Sequence, residues 1–162
     1  MAGATVRLEP IGVIHSPFKA LENMPIQPAG AGDVVGTVQV RGELAAGLKD
    51  LEGFSHVYLV YYFHKAKQTK LAVTPFLDDR QRGVFATRAP VRPNHIGLSL
   101  VELVAVEGNT LTVRGIDVLD GTPLLDIKPY VEQFDHPLHS RSGWIKASAG
   151  QVEHRRSDKR FQ

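Results

Sequence analysis

The sequence predicts an all-β fold: a small closed or strongly curled β-barrel with one short helix and long loops. Six short segments rich in Val, Ile, Leu, Tyr and Phe are each bounded by turn residues, the signature of strands. The 162 residues include 15 Gly and 10 Pro, which keep those segments short. Closing such a sheet on itself also disposes of the unpaired strand edges it would otherwise expose.

Val6 to His15 is the first strand and leads into a loop, Asn23 to Asp33 (NMPIQPAGAGD). Val34 to Val40 is the second. Glu43 to Leu51 carries leucines at 44, 48 and 51, near helical spacing, and is the one helix expected, although Gly47 weakens it. His56 to Phe63 shows no polar alternation and reads as a strand buried on both faces. After a second loop, Gln68 to Gln81, comes a strand over Gly83 to Thr87. Leu98 to Val106 and Leu111 to Leu119 flank Glu107-Gly108-Asn109 and form a hairpin, with Leu111 and Val113 alternating with Thr110, Thr112 and Arg114. From Arg141 onward apolar residues thin out. The expected division is a barrel domain over 1–140 and a basic tail or arm over 141–162, either frayed or docked on a partner.

Several function classes fall away. With no cysteine, zinc ribbons, iron–sulfur clusters, thiol nucleophiles and disulfide frameworks are excluded. His136 and His139 (HPLH) suggest a metal, but Pro137 spoils a regular helical pair and no third ligand follows by spacing, so none is expected. The Gly-rich run Ala29 to Gly32 has neither GxGxxG nor GxxxxGK[ST] spacing, which removes the Rossmann and P-loop readings. No basic segment followed by an apolar stretch opens the chain, and the longest apolar run, Val57 to Phe63, falls far short of the ~20 residues that span a bilayer. A soluble cytoplasmic protein with no membrane partner is expected.

The net charge of +2 conceals a division along the chain. Lys65 to Arg92 is locally +5 and Arg141 to Gln162 locally +4, whereas Pro93 to Ser140 is −5. Basic blocks on a nearly neutral chain read either as a polyanion footprint or as solvated loops and a tail.

Two polar segments and one strand end carry candidate chemistry. In GVFATRAPVRPNHIGLS (Gly83 to Ser99), Arg88 and Arg92 sit in a loop stiffened by Pro90 and Pro93, beside Asn94 and His95. A rigid loop with guanidinium forks suits carboxylate or phosphate; the plain alternative is a proline-braced crossover with its arginines in water. In DVLDGTPLLDIKPY (Asp117 to Tyr130), Asp120-Gly121-Thr122-Pro123 is a turn. Beyond it, Asp126, Lys128 and Tyr130 share one side of an extended segment, suited to proton transfer or to a surface ion pair. His64 closes the most apolar strand after Phe63, as a pocket rim or a hydrogen-bonded strand end.

Taken together these segments resemble one family: the small β-barrel methyltransferases that use S-adenosyl-L-methionine to methylate N6-threonylcarbamoyladenosine next to the tRNA anticodon. The resemblance runs from about Leu8 to about Tyr130, through IGVIHSPFK, Gln27-Pro28, LEGFSHVYLVYYFH, GVFATRAPVRPNHIGLSLVEL and DVLDGTPLLDIKPY. It implies a homodimer and cofactor contacts at Gln27, Pro28, Ala29, Phe63, His64, Arg88, Leu98, Leu119, Asp120, Gly121 and Thr122. Arg92 and Asn94 are then expected to orient the substrate. Asp126 or His64 would accept the proton, and Lys128 or Tyr130 would stabilise charge on the carbonyl oxygen. Lys65, Lys67, Lys70, Arg80, Arg82 and the tail become the nucleic-acid footprint for tRNA, with no DNA partner expected. Two positions depart from the family's pattern, His95 where Pro is common and Ala29 where some members carry Gly. Larger bacterial members also carry an additional C-terminal domain that helps hold tRNA. The alternatives are a methyltransferase of a small metabolite and a non-catalytic RNA-binding barrel.

Overall fold

In a computed structural model describing residues 3–26, 28–146 and 154–161, six strands close into a barrel. The strands in chain order are β1 (Gly12–His15), β2 (Val35–Val40), β3 (His56–Tyr62), β4 (Ala72–Val73), β5 (Arg82–Gly83), β6 (Ile96–Glu107), β7 (Thr110–Arg114) and β8 (Thr122–Pro129). Around the barrel the order is β1-β2-β7-β6-β3-β8, and β8 returns to β1 through Gly12↔Leu124. β4 and β5 form a separate two-stranded sheet.

Alternation determines what fills the barrel. Ile14, Val38, Val57, Leu59, Val101, Leu111, Val113 and Leu124 are all buried and form one core. A solid interior of this kind leaves room for a ligand only at an end or outside. Two register shifts curl the sheet, at Leu103/Ala105 on β6 and between Val60 and Tyr61 on β3 against β8. The second matters for function. Leu59 pairs with Ile127 and Tyr61 with Leu124, so Leu125 is the extra residue, and Asp126 and Lys128 are set opposite Val60 and Tyr58 on the outer face.

Several sequence expectations are corrected by packing. The helix over Glu43 to Leu51 is instead two 3₁₀ segments, Gly42–Leu48 and Leu51–Gly53, separated by Asp50 at φ 67°. Leu48 and Leu51, three residues apart, still reach the core, a spacing that suits a period of three. Val6 to His15 is strand only from Gly12; Val6 and Leu8 lie exposed ahead of Pro10. His56 to Phe63 buries only one face, through Val57, Leu59 and Tyr61. Gly83 to Thr87 is a 3₁₀ turn after the two-residue β5, with Val84 buried and the Thr87 hydroxyl donating to its carbonyl at 2.7 Å. Leu111 to Leu119 stops being strand at Arg114, where Gly115 turns the chain at φ 81°. The expected β6–β7 hairpin forms around Gly108 at φ 62°.

The chain beyond β8 folds back on the barrel side. A four-residue helix, Glu132–Asp135, leads to Trp144, whose indole N–H donates to the Ala86 carbonyl at 2.7 Å. Ser157 exchanges hydrogen bonds with Met24 and donates its hydroxyl to the Leu21 carbonyl, and Arg156 bridges Pro25. No helix of the described residues is long and apolar enough to cross a membrane.

Candidate active site

Where β3 ends and β6 begins, the apolar barrel interior gives way to a polar cap. Tyr61 and Ser99 point inward, 5% and 0% exposed, and their oxygens lie 3.0 Å apart. The Ser99 hydroxyl donates to Asp117 Oδ1 at 2.6 Å, so Tyr61 must donate to Ser99 and the chain of hydroxyls ends on a carboxylate. Gly97 is required here, because a Cβ at this position would collide with the Tyr61 ring. Burial, with the Asp117 carboxylate nearby, drives the Tyr61 phenol well above its ordinary range. Burial likewise pushes the Asp117 carboxyl up to about 6, against the Ser99 hydrogen bond and the Arg88 charge.

Over this cap lies a cavity of about 1060 Å³. Its walls come from Tyr61, Phe63 and His64 at the end of β3, from the proline loop, from Gly97 and Leu98 on β6, and from Asp117, Leu119 and Thr122. Met24, Trp144 and Phe161 complete it, so the C-terminal segment is part of its wall. The proline loop is braced as a unit: Arg92 donates to the Thr87 carbonyl at 2.9 Å, and the His95 ring meets the Pro90 carbonyl at 2.9 Å. His95 is held at φ 50°, a value closed to proline.

The structure brings together most of the residues singled out by sequence. Phe63, His64, Lys65, Arg88, Arg92, Asn94, Leu98, Leu119 and Thr122 all line the cavity. Gln27 lies outside the described residues; Pro28 and Ala29 open a four-residue helix, Pro28–Ala31, and Met24 and Ile26 just before it line the cavity. Burial and then the Lys65 ammonium lower the His64 pKa, so its ring is neutral at neutral pH.

Others are placed elsewhere. Asp120 and Gly121 are not among the lining residues; Gly121 takes φ 78° and Asp120 braces the turn. The Asp120 carboxylate accepts the Ser16 N–H at 3.0 Å and pairs with Lys19 and His15, and the Lys19 bond above all holds its pKa below the ordinary range. Asp126 and Lys128 form an ion pair at 3.0 Å on the outer face, 46% and 66% exposed. Asp126 stands opposite Val60 and is not among the residues that line the cavity. Tyr130 packs near Tyr58 and His56, toward the far end of β3. Arg82 pairs with Asp78 at 2.6 Å and lies over the Trp144 ring, while Lys70 and Arg80 are exposed and away from the cavity. Lys65 and Lys67 meet Lys19 around a smaller hollow of about 270 Å³ that shares Leu21, Lys65 and Leu119 with the main one. Among the described residues no group of three or more His, Asp or Glu is placed to hold a metal ion.

Sequence reasoning missed Tyr61, Ser99, Asp117 and the tail residues Trp144 and Phe161. A usable signal for Asp117 existed: a lone carboxylate between Ile116 and Val118, both buried, is costly without a purpose.

The model of the tRNA-methyltransferase O N-terminal domain matches residues 13–136. The chain belongs to this family. It is 53% identical over 152 residues to a probable S-adenosyl-L-methionine-binding protein of Pyrococcus abyssi, spanning 94% of this chain and 83% of that one. A tRNA (adenine(37)-N6)-methyltransferase of Mus musculus is 40% identical, but the match covers 87% of this chain and only 35% of the mouse enzyme. The crystal structure of TrmO from Pseudomonas aeruginosa superposes with a TM-score of 0.74 at 40% identity, covering 87% of this chain and 63% of that chain. The cavity fits the cofactor that family membership implies. Its aromatic walls suit an adenine, and Arg88 and Asp117 offer opposite charges for a zwitterionic amino acid.

Proposed function

We propose that the chain is an S-adenosyl-L-methionine-dependent methyltransferase acting on tRNA, at the N6 nitrogen of N6-threonylcarbamoyladenosine beside the anticodon. The observation that carries this reading is the convergence of Phe63, His64, Arg88, Leu98, Leu119 and Thr122, from four separate stretches of a family sequence, on one cavity. The names of the mouse and Pyrococcus relatives support the reaction and the cofactor respectively. When bound, S-adenosyl-L-methionine supplies a methyl group already activated by its sulfonium, so the remaining work is positioning, water exclusion and removal of one proton.

In this mechanism Arg92 and Asn94 orient the threonyl carboxylate and the carbamoyl group at the cavity rim. Arg92 is held in place by the Thr87 carbonyl. His64 accepts the N6 proton through the ring nitrogen left over from its hydrogen bond to the Tyr62 backbone; its lowered pKa keeps the acceptor form populated at neutral pH. We prefer His64 to Asp126 because only His64 lines the cavity, and Asp126 is already paired with Lys128. The hollow between Lys19, Lys65 and Lys67 sits beside the cavity and receives a backbone phosphate. The protein acts in the cytoplasm as a homodimer.

Nucleoside mass spectrometry of tRNA from a deletion strain tests the substrate. Loss of the N6-methyl form, restored by the wild-type gene, is expected. Unchanged tRNA nucleosides would point to a small-metabolite substrate.

A further inference from the structure

Asp117 is a carboxylate whose burial outweighs the Ser99 hydrogen bond and the Arg88 charge that favour its ionised form. It follows the fully buried Ile116, precedes the buried Val118, and lines the cavity at its polar floor. Among the described residues only Ser99 donates to its side chain from another position, and that bond engages Oδ1. Tyr61 behind Ser99 makes the arrangement stiff: both hydroxyls are buried, and each has one place for its proton. The carboxylate is thus anchored through Oδ1 in a residue that lines the cavity.

We propose that Asp117 binds the α-ammonium of the cofactor's amino-acid end while Arg88, which lines the same cavity, takes its carboxylate. This rests on the reading of the cavity as the S-adenosyl-L-methionine site and not on the identity of the RNA. The ammonium is the better match than the sulfonium, because it carries N–H donors that a carboxylate oxygen can accept. A sulfonium has none and is served by aromatic faces such as Phe63. The raised Asp117 pKa fits a carboxylate that awaits a cation, and Arg88 already acts on it electrostatically. The other charged or titratable groups that share the cavity with Asp117 are Tyr61 on β3, His64 and Lys65 just beyond it, Arg92 in the proline loop and Asp158 from the tail.

Calorimetric titration of the full chain with three probes tests this: S-adenosyl-L-methionine, S-adenosylhomocysteine and methylthioadenosine, which lacks the amino-acid end. Asp117→Asn is expected to weaken the first two alike, about tenfold or more, and methylthioadenosine less than about twofold. Ser99→Ala, which frees Oδ1 without touching the charge, is expected to give a smaller loss with the same selectivity. Wild-type affinity for S-adenosylhomocysteine falls as pH drops below about 6, and that dependence disappears in Asp117→Asn. Equal losses for all three probes, a loss confined to S-adenosyl-L-methionine, or no loss overturns the assignment. A wild-type chain that binds none of the probes overturns the cofactor reading beneath it.

Discussion

A carboxylate buried for a ligand costs stability until the ligand arrives, and at Asp117 the sign of that cost can be worked out. Its folded-state pKa is raised to about 6, above the ordinary value of 3.8. The associated stability is therefore fully present below about pH 4 and is lost as pH rises through 6, a loss on the order of 3 kcal/mol by neutral pH. Without ligand, Asp117→Asn should be more stable than wild type at pH 8 and show little or no advantage at pH 4, measured by urea unfolding. A gap that shrinks with rising pH contradicts this. Gly97 is a second sharp position. A methyl group there meets the Tyr61 ring, so Gly97→Ala is expected to cost about 1–3 kcal/mol and to weaken cofactor binding by displacing the hydroxyl chain. Unaltered stability and binding would show that Tyr61 yields without consequence.

At the scale of elements, the barrel was largely legible because its strands alternate, and alternation is local information. Leu111 and Val113, alternating with Thr110, Thr112 and Arg114, announce β7, whereas β3 is legible as an unbroken apolar run. What escaped depends on tertiary partners. β8 hides in LLDIKP because a register shift puts Leu124 and Ile127, three residues apart, on the same face, which breaks the two-residue period. The same shift explains why Asp126 and Lys128, correctly read as sharing a side, share the outer one. The 3₁₀ turns mimic a helix through leucines spaced near three. Most residues carried by the family motifs line one cavity; Asp117 and Ser99 stood outside that reading, since they are linked by a hydrogen bond across 18 positions. The tail offered only composition, yet Trp144 and Phe161 are cavity wall. Trp144→Ala removes the ring that caps Ala86 and supports Arg82, and is expected to weaken S-adenosylhomocysteine binding about tenfold. Thermal unfolding of the free barrel should shift little, because Trp144 lies outside its core. Retained affinity would make the tail a bystander.

Across the whole molecule, charge and cavity divide the labour. The −5 stretch from Pro93 to Ser140 contributes Asp117 to the floor, while the +5 stretch contributes Arg88 and Arg92 to the walls and Lys65 and Lys67 to the adjoining hollow. Arg82, engaged by Asp78 and Trp144, is largely removed from the set available to RNA. Replacing Lys19, Lys65 and Lys67 by Ala together should weaken tRNA binding and lower the slope of log affinity against log salt by about 2. An unchanged slope would return these lysines to ordinary solvated surface. The chain spans most of its Pyrococcus relative but about a third of the mouse methyltransferase, so what the domain accomplishes alone is the central question. The direct measurement is transfer of labelled methyl from S-adenosyl-L-methionine by the purified 162-residue chain to tRNA carrying N6-threonylcarbamoyladenosine, with the product nucleoside identified by mass. The account predicts label at N6 of that nucleoside alone, lost in His64→Ala and retained in Asp126→Asn. Absence of transfer to tRNA by a chain that binds the cofactor would contradict it.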